Sequence, residues 1–409
     1  MKVGILSDTH IGYPRFYEDS IEQAEEAFRE ACNNSDIVLI AGDIFDTKTP
    51  KFEVIAKAME IFSYGKKIDW KEKGIESKEG LLPVVAIHGT HDRRSKGMVN
   101  PVELLERAGI ITNASDRIVV FEKRNKDGSI EKIAIHGIGG TTEDSIKETI
   151  RQLNFKPIAG AYNILMLHQT IKEVIPMAEG ISLDELPDGF DLYLCGHIHK
   201  RVVMEKNGKK LLIPGSTVIT QLKKEEEEPR AYVIIDTNTN EIKFVDIKSR
   251  KFLYGEIEFK NADLKDVNDG IRNKIDELLQ KGKEIKGKDE IPIIRVVVSG
   301  TLKQGIKREN LSLQDIYSEY EDKCILQIDN EMDEQGLKEK LESLRNMYKQ
   351  KMSVREIGIQ SIKERLQSTS TKDIDVEFLM GMLQDEDNIE LVLEEMIKRK
   401  QSKKIIETK

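Results

Sequence analysis

The stretch Val3-Gly4-Ile5-Leu6-Ser7-Asp8-Thr9-His10 decides how this chain is read: a short, nearly continuous apolar run, then a carboxylate and an imidazole two positions apart. Such a run reads as a strand buried on both faces, and ligand-type residues at its end read as a site in a loop leaving a sheet. The pattern recurs. DIVLIA (36–41) ends in Gly42-Asp43-Ile44-Phe45-Asp46, VVAI (84–87) in His88-Gly89-Thr90-His91-Asp92, NILML (163–167) in His168, and DLYL (191–194) in Cys195-Gly196-His197-Ile198-His199. A further run, IAI (133–135), precedes His136. Amphipathic patterns at 21–32 and 54–62 predict helices between several of these runs, so the expected architecture is a layered α/β domain with functional loops at the strand ends.

Outward from that region the texture changes in steps. Asn207-Gly208 predicts a hairpin between 201–206 and 210–214, and 237–241 separates two more strands. The polar insert 64–80 and the run 223–228 (KKEEEE) are expected to be solvated loops. Past Ser249 a strand at 252–259, a helical stripe of Leu264, Val267, Ile271, Ile275 and Leu278, and the β-branched run 293–298 predict a small α+β module over 249–332. From 333 to 409 only helical patterns remain, with Leu337, Leu341, Leu344 and Tyr348 on one stripe and Phe378, Leu379, Met382 and Leu383 on a later one. The expected division is therefore 1–248, 249–332 and 333–409.

Composition narrows the function. The 409 residues are 39% hydrophobic, enough for a sizeable core, and 64 Lys plus Arg against 73 Asp plus Glu give a net charge of −9. No general basic field marks a nucleic-acid binder, so a polyanion has to be held by local charge or by metal. Cys32, Cys195 and Cys324 show no CxxC spacing, which excludes a disulfide framework and a thiolate zinc site. No stretch approaches the roughly 20 apolar residues of a membrane span, and a cytoplasmic, nucleoid-associated location is expected.

Six of the seven histidines sit at four of these five strand ends, and the fifth carries Asp43 and Asp46. Asp8 with His10, and His197 with His199, are i, i+2 pairs that point to one side in extended backbone, so each pair can grip an ion from one strand end. Gly42, Gly89 and Gly196 let the chain turn sharply beside it. Mixed nitrogen and oxygen donors without sulfur favour Mn, Fe or Zn over Ca or Mg.

The ordered set D-x-H, G-D-x-x-D, G-x-H-D, H and G-H-x-H resembles the calcineurin-like metallophosphoesterase superfamily. Within it SDTHIG, AGDIFD, LHQ, CGHIHK and IPGST (213–217) are similar to the SbcD-type double-strand-break repair nucleases of the meiotic-recombination-eleven family. The resemblance covers residues 1 to about 250 strongly and the remainder weakly. It implies a metallophosphoesterase β-sandwich flanked by helices, then a small capping domain and C-terminal helices that dock on an SMC-like ABC ATPase of the SbcC type. It implies a homodimer acting on DNA as a 3′ to 5′ duplex exonuclease and single-strand endonuclease, with two Mn2+ per chain, Mg2+ or another divalent ion being the alternative. By motif, one metal would take Asp8, His10 and His199, the other His168 and His197, with Asp43 bridging and His91 the catalytic non-ligand. Two positions depart from or divide the family: Thr90 stands where it has an Asn ligand, which predicts a weaker second site, and Asp46 agrees with the bacterial members. His88 and His136 match no ligand position and are expected to be structural.

Arg15, Lys48, Lys51, Arg93, Arg94, Lys96, Lys200 and Arg201 lie in the same loops and form a candidate phosphate-facing surface, with Tyr13 and Phe16 placed to stack on a nucleotide or to pack. Two other functions share parts of this pattern. A phosphoesterase for a small molecule or phosphoprotein would use the same metal motif but has no need of the chain after Ser249. A mainly structural scaffold for the ATPase would retain that chain, with hydrolysis impaired at Thr90.

Overall fold

The computed structural model describes residues 1–333 apart from 78, 96, 285, 286, 288 and 289; the helical patterns expected over 334–409, and Lys96, lie outside the described residues. Two sheets form the larger part. The first has six strands in the order Glu241–Asp246, Ala231–Asp236, Lys2–Leu6, Ile37–Ala41, Val84–Ile87 and Thr112–Asn113. The last four run parallel, which places their C-terminal ends, and the loops that follow them, along one edge. The second sheet has seven strands, in the order Val202–Lys206, Lys209–Ile213, Leu192–Gly196, Tyr162–His168, Ile130–Gly137, Arg117–Arg124 and Ile75–Glu76. Its parallel centre is Leu192–Gly196 beside Tyr162–His168 beside Ile130–Gly137.

Side-chain alternation explains how the two sheets meet. Ile164, Met166, Leu192, Leu194 and Leu212 join Ile5, Leu39 and Val85 in one core between the sheets. Their neighbours Leu165, Leu167, Tyr193, Cys195, Leu211 and Ile213 point the other way, into a second core with Ile146, Ile171 and Leu183. The period of two carries His168 onto the same face as Ile164 and Met166, so the strand delivers a fully buried imidazole between the sheets. On the outer face of the first sheet the helix Tyr17–Asn34 buries Ile21, Ala24, Ala27, Phe28 and Ala31 at helical spacing. Gly4 permits its close approach, because a Cβ there would sit 3.0 Å from the Cβ of Ala31.

The expected strands and both hairpins form, with Asn207 (φ 53°) and Gly208 (φ 76°) in the left-handed pair a two-residue turn requires. Two expectations fail. The insert 64–80 is not a solvated loop: Trp70 is buried, donating Nε1–H to Gly65 O at 2.8 Å, and Ile75–Glu76 pairs with the strand Arg117–Arg124 and forms the edge of the second sheet. Nor is 223–228 wholly solvated, since Glu226 is 3% exposed and accepts the backbone N–H groups of Thr220, Gln221 and Lys223. In both cases charged neighbours hide the residues that fold inward, Trp70 and Ile75 in the first and Glu226 in the second.

Beyond Ser249 a three-stranded sheet, with Ile293–Leu302 between Phe252–Ala262 and Ile325–Asp333, carries the helix Leu264–Glu284, which buries Val267, Ile271, Ile275 and Leu278. Most of it belongs to the same compact unit as the two large sheets; a second unit takes, of the described residues, Phe259–Leu264, Gly300–Leu311, Met332 and Asp333. Within the first unit Phe252 and Ile293 pack with Phe16, Val218, Ile219 and Leu222, and Arg250 pairs with the buried Asp19 at 2.5 Å.

Candidate metal centre

The loops leaving five strands meet at one edge of the sandwich. Asp8 N–H donates to Gly42 O at 3.1 Å, and His10 N–H to Asp43 O at 3.1 Å, so the loops after the first two strands run side by side. The Asp8 carboxylate accepts from His197 N–H at 3.0 Å, tying the two sheets together at their ends. That of Asp43 accepts from His91 N–H at 2.8 Å. Asp92, wholly buried, accepts from Ile44, Phe45 and Gly89 N–H at 3.0, 2.9 and 3.0 Å and so fixes the Asp43 loop to the His91 loop. Burial, then the charge of Asp43, pushes Asp92 up to about 6.

These turns bend the backbone against its preference. Asp8, His10, Asp43 and His197 have φ of 52°, 41°, 46° and 82°, a region that costs non-glycine residues about 1–3 kcal/mol each and that clusters at functional sites. At Gly42 (φ 90°) a Cβ would meet the His168 ring carbon at 2.8 Å, and one on Gly196 would come within 2.6 Å of His168 Nδ1.

Three three-residue donor groups result: Asp8, His10 and His199; Asp43, His168 and His197; and His10, Asp46 and the exposed His91. The first two draw on both sheets. His10 Nε2 and His199 Nε2 are 3.1 Å apart, and His199 Nε2 lies 3.7 Å from Asp8 Oδ1. His168 Nε2 is 3.0 Å from Asp43 Oδ2 and 3.9 Å from Asp8 Oδ1, so Asp8 reaches toward both groups. His168 Nε2 is buried yet makes no well-directed hydrogen bond, as a nitrogen aimed at a cation would be. Nδ1 partners hold the rings from behind: Ala41 O at 2.8 Å for His168 and Thr220 Oγ1 at 2.6 Å for His199, leaving Nε2 for the centre.

The charges make the same point. Burial disfavours the charged form of both carboxylates and lifts Asp8, whereas the cationic His168 beside Asp43 overrides burial and holds Asp43 far below the usual carboxylate range. His168 is in turn raised to about 10, Asp43 outweighing burial, while burial, then the positive His168, lowers His197 to about 4. Two buried carboxylates at this edge demand positive charge, and a divalent cation meets that demand with every donor of a suitable kind.

Thr90 lies at the rim, its Oγ1 3.4 Å from Asp43 Oδ2. His91 is exposed, with Nδ1 2.7 Å from Asp46 O and its ring edge-on to that of His10 at 5.0 Å. Asp46 Oδ1 stands 3.4 Å from His10 Nδ1. Of the candidate phosphate contacts, Lys48 and Lys200 are exposed, and Arg93 and Arg94 are half-buried. Arg15 donates to Gln327 at 2.8 Å, and Arg201 pairs with Asp246 at 3.1 Å. His136 is buried with Nε2 3.1 Å from Asn163 Oδ1, and His88 Nδ1 lies 2.8 Å from Ser115 Oγ. Asp92 and Thr220 were missed as site residues. Asp92 stands inside the quoted G-x-H-D motif, but nothing local marks Thr220.

The fold and the donor set define a class, metal-dependent phosphoester hydrolysis at the edge of a two-sheet sandwich. The family model described as the calcineurin-like phosphoesterase superfamily domain matches residues 1–240, and the chain belongs to that superfamily. Within it the chain is similar to proteins named DNA double-strand break repair protein Mre11. The one from Methanocaldococcus jannaschii is 29% identical over 294 residues, covering 68% of this chain and 73% of its own. That from Methanococcus maripaludis is 26% identical, covering 66% and 73%, and that from Saccharolobus solfataricus 25%, covering 80% and 83%. No described helix is long and apolar enough to cross a membrane.

Proposed function

We propose that this chain is a metal-dependent nuclease of DNA double-strand-break repair, acting as a 3′ to 5′ exonuclease on duplex ends and an endonuclease on single strands. The observation that carries the reading is the convergence of Asp8, His10 and His199 with Asp43, His168 and His197 in a chain related to Mre11 proteins. Asp8, His10 and His199 would hold one Mn2+, and His168 and His197 a second, with Asp43 serving both and Thr90 at the rim. When bound, the ions supply Lewis-acid polarisation and charge neutralisation for the phosphodiester under attack. His91 keeps its Nδ1–H on the Asp46 carbonyl, which leaves Nε2 as the atom that exchanges a proton with the substrate. Lys48, Arg93, Arg94 and Lys200 steer the strand, and Arg15 and Arg201 join them only by giving up Gln327 and Asp246.

The organisation follows from this role: 1–248 as nuclease domain, 249–332 as capping domain, and 333–409 as the segment that binds an SMC-like ABC ATPase of the SbcC type, in a homodimer at the nucleoid. Purified protein should cleave plasmid DNA when Mn2+ is supplied, and much faster than it hydrolyses a generic aryl phosphodiester. Comparable rates on both would favour a small-molecule or phosphoprotein phosphoesterase, and no hydrolysis of either would favour a scaffold.

A further inference from the structure

The loop that follows the Lys209–Ile213 strand runs beside His199 and then turns toward the sheet beyond Ser249. Ser216 N–H donates to His199 O at 3.3 Å, and Thr220 Oγ1 stands 2.6 Å from His199 Nδ1, so one segment grips this residue by backbone and ring. All three polar groups of Thr220 are committed here. Besides the hydroxyl, its N–H donates to Glu226 Oε1 at 3.1 Å and its carbonyl accepts from Tyr13 O–H at 2.8 Å, Tyr13 lying just past His10. Glu226 is buried and holds the turn rigid, taking the N–H of Gln221 at 2.9 Å and that of Lys223 at 3.3 Å as well. The buried Arg230 closes the strap from behind by donating to Glu226 O at 2.8 Å and Glu228 O at 2.7 Å.

We infer that Thr220 is a positioning residue for the cation site formed by Asp8, His10 and His199, and that Glu226 is its anchor. The physical reason lies in what the other rings have. His168 leans on a strand-end backbone carbonyl of the facing sheet, Ala41 O, which only accepts and so fixes Nδ1 as the protonated nitrogen. His199 leans on a hydroxyl, which accepts or donates, and that hydroxyl is carried by a loop. Its ring orientation is therefore set by the strap, and removing the hydroxyl takes away the partner that holds Nδ1. The far side of the strap meets the sheet beyond Ser249: Arg295 donates to Leu222 O at 2.9 Å, Tyr254 N–H donates to Glu227 Oε1 at 3.1 Å, and Leu222 packs with Phe252 and Ile293. Thr220 thereby joins one cation site, but not the other, to that sheet.

This inference rests on the reading that Asp8, His10 and His199 bind a divalent cation. The test titrates Mn2+ into the full-length wild type, Thr220→Val, Thr220→Ser and Glu226→Gln by calorimetry, with the melting temperature of each metal-free protein measured alongside. Thr220→Val should weaken one of two binding events by about 10- to 100-fold while leaving the other near wild type. Thr220→Ser should restore it, and Glu226→Gln should weaken the same event by a smaller factor. The metal-free melting temperatures of the Thr220 variants should stay together. Wild-type isotherms in both Thr220→Val and Glu226→Gln would overturn the inference, as would equal loss at both sites in Thr220→Val. If Thr220→Val does not fold, Glu226→Gln with a wild-type isotherm is sufficient to overturn it. A wild type that takes up no Mn2+ at all would instead overturn the metal reading beneath it.

Discussion

At the scale of single residues, His91 and Thr90 carry the sharpest tests. His91 has its Nδ1 on Asp46 O and belongs by proposal to neither ion, so His91→Ala should leave bound Mn2+ intact and cut turnover by about 10² or more, the usual contribution of a positioned acid or base. Metal analysis of the variant decides between roles, since loss of Mn2+ would make His91 a ligand. Thr90 is shorter than an Asn amide and a poorer oxygen donor, and its hydroxyl stands 3.4 Å from the Asp43 carboxylate. The His168 and His197 site should therefore bind more weakly than its neighbour, with activity still rising after the first site is full. Thr90→Asn should narrow that gap and raise activity at low Mn2+, read from a metal titration of rate; an unchanged titration would mean Thr90 is an adequate donor.

At the scale of elements, the site depends on how closely strand ends approach one another. Gly196 ends its strand where a Cβ would press on both Ser7 and His168, within 2.6 Å of the Nδ1 that Ala41 O accepts from. Gly196→Ala should keep a native far-ultraviolet circular dichroism spectrum and lose Mn2+ binding at the His168 side; retention of both ions would show that the ends can part without harm. The same elements explain what was legible in the chain. Runs such as NILML and DLYL announce buried parallel strands, and the residues after them announce donors, because each signal is local. Trp70 and Glu226 were not legible because their neighbours are charged, and the Arg117–Arg124 strand because its pairing with Ile75–Glu76 is made with residues distant in sequence. Asp92 was visible as a letter of its motif but not as the acceptor of three amides, since accepting N–H groups from a loop some 45 residues away leaves no local trace.

At the scale of the whole molecule, the chain to Asp333 contains both large sheets and the strands of the smaller one, with Phe252 and Ile293 packed on Phe16, Val218 and Leu222 and Arg250 paired with Asp19. A protein ending after Asp333 should keep Mn2+-dependent DNA cleavage and lose binding to the ATPase, measured by cleavage assay and co-purification; continued co-purification would place the docking site elsewhere. The larger consequence comes from both proposed ion-holding groups, Asp8, His10 and His199, and Asp43, His168 and His197, drawing on both sheets. A bound ion is then a cross-link across the sandwich, and at a hundred times its Kd each one adds about 2.7 kcal/mol to the folded state. Without ions, the carboxylates and imidazoles stay crowded at the seam where the two layers meet. Chelation should lower the melting temperature and speed proteolysis of the chain, so that metal scarcity would set the lifetime of the protein and not merely its rate.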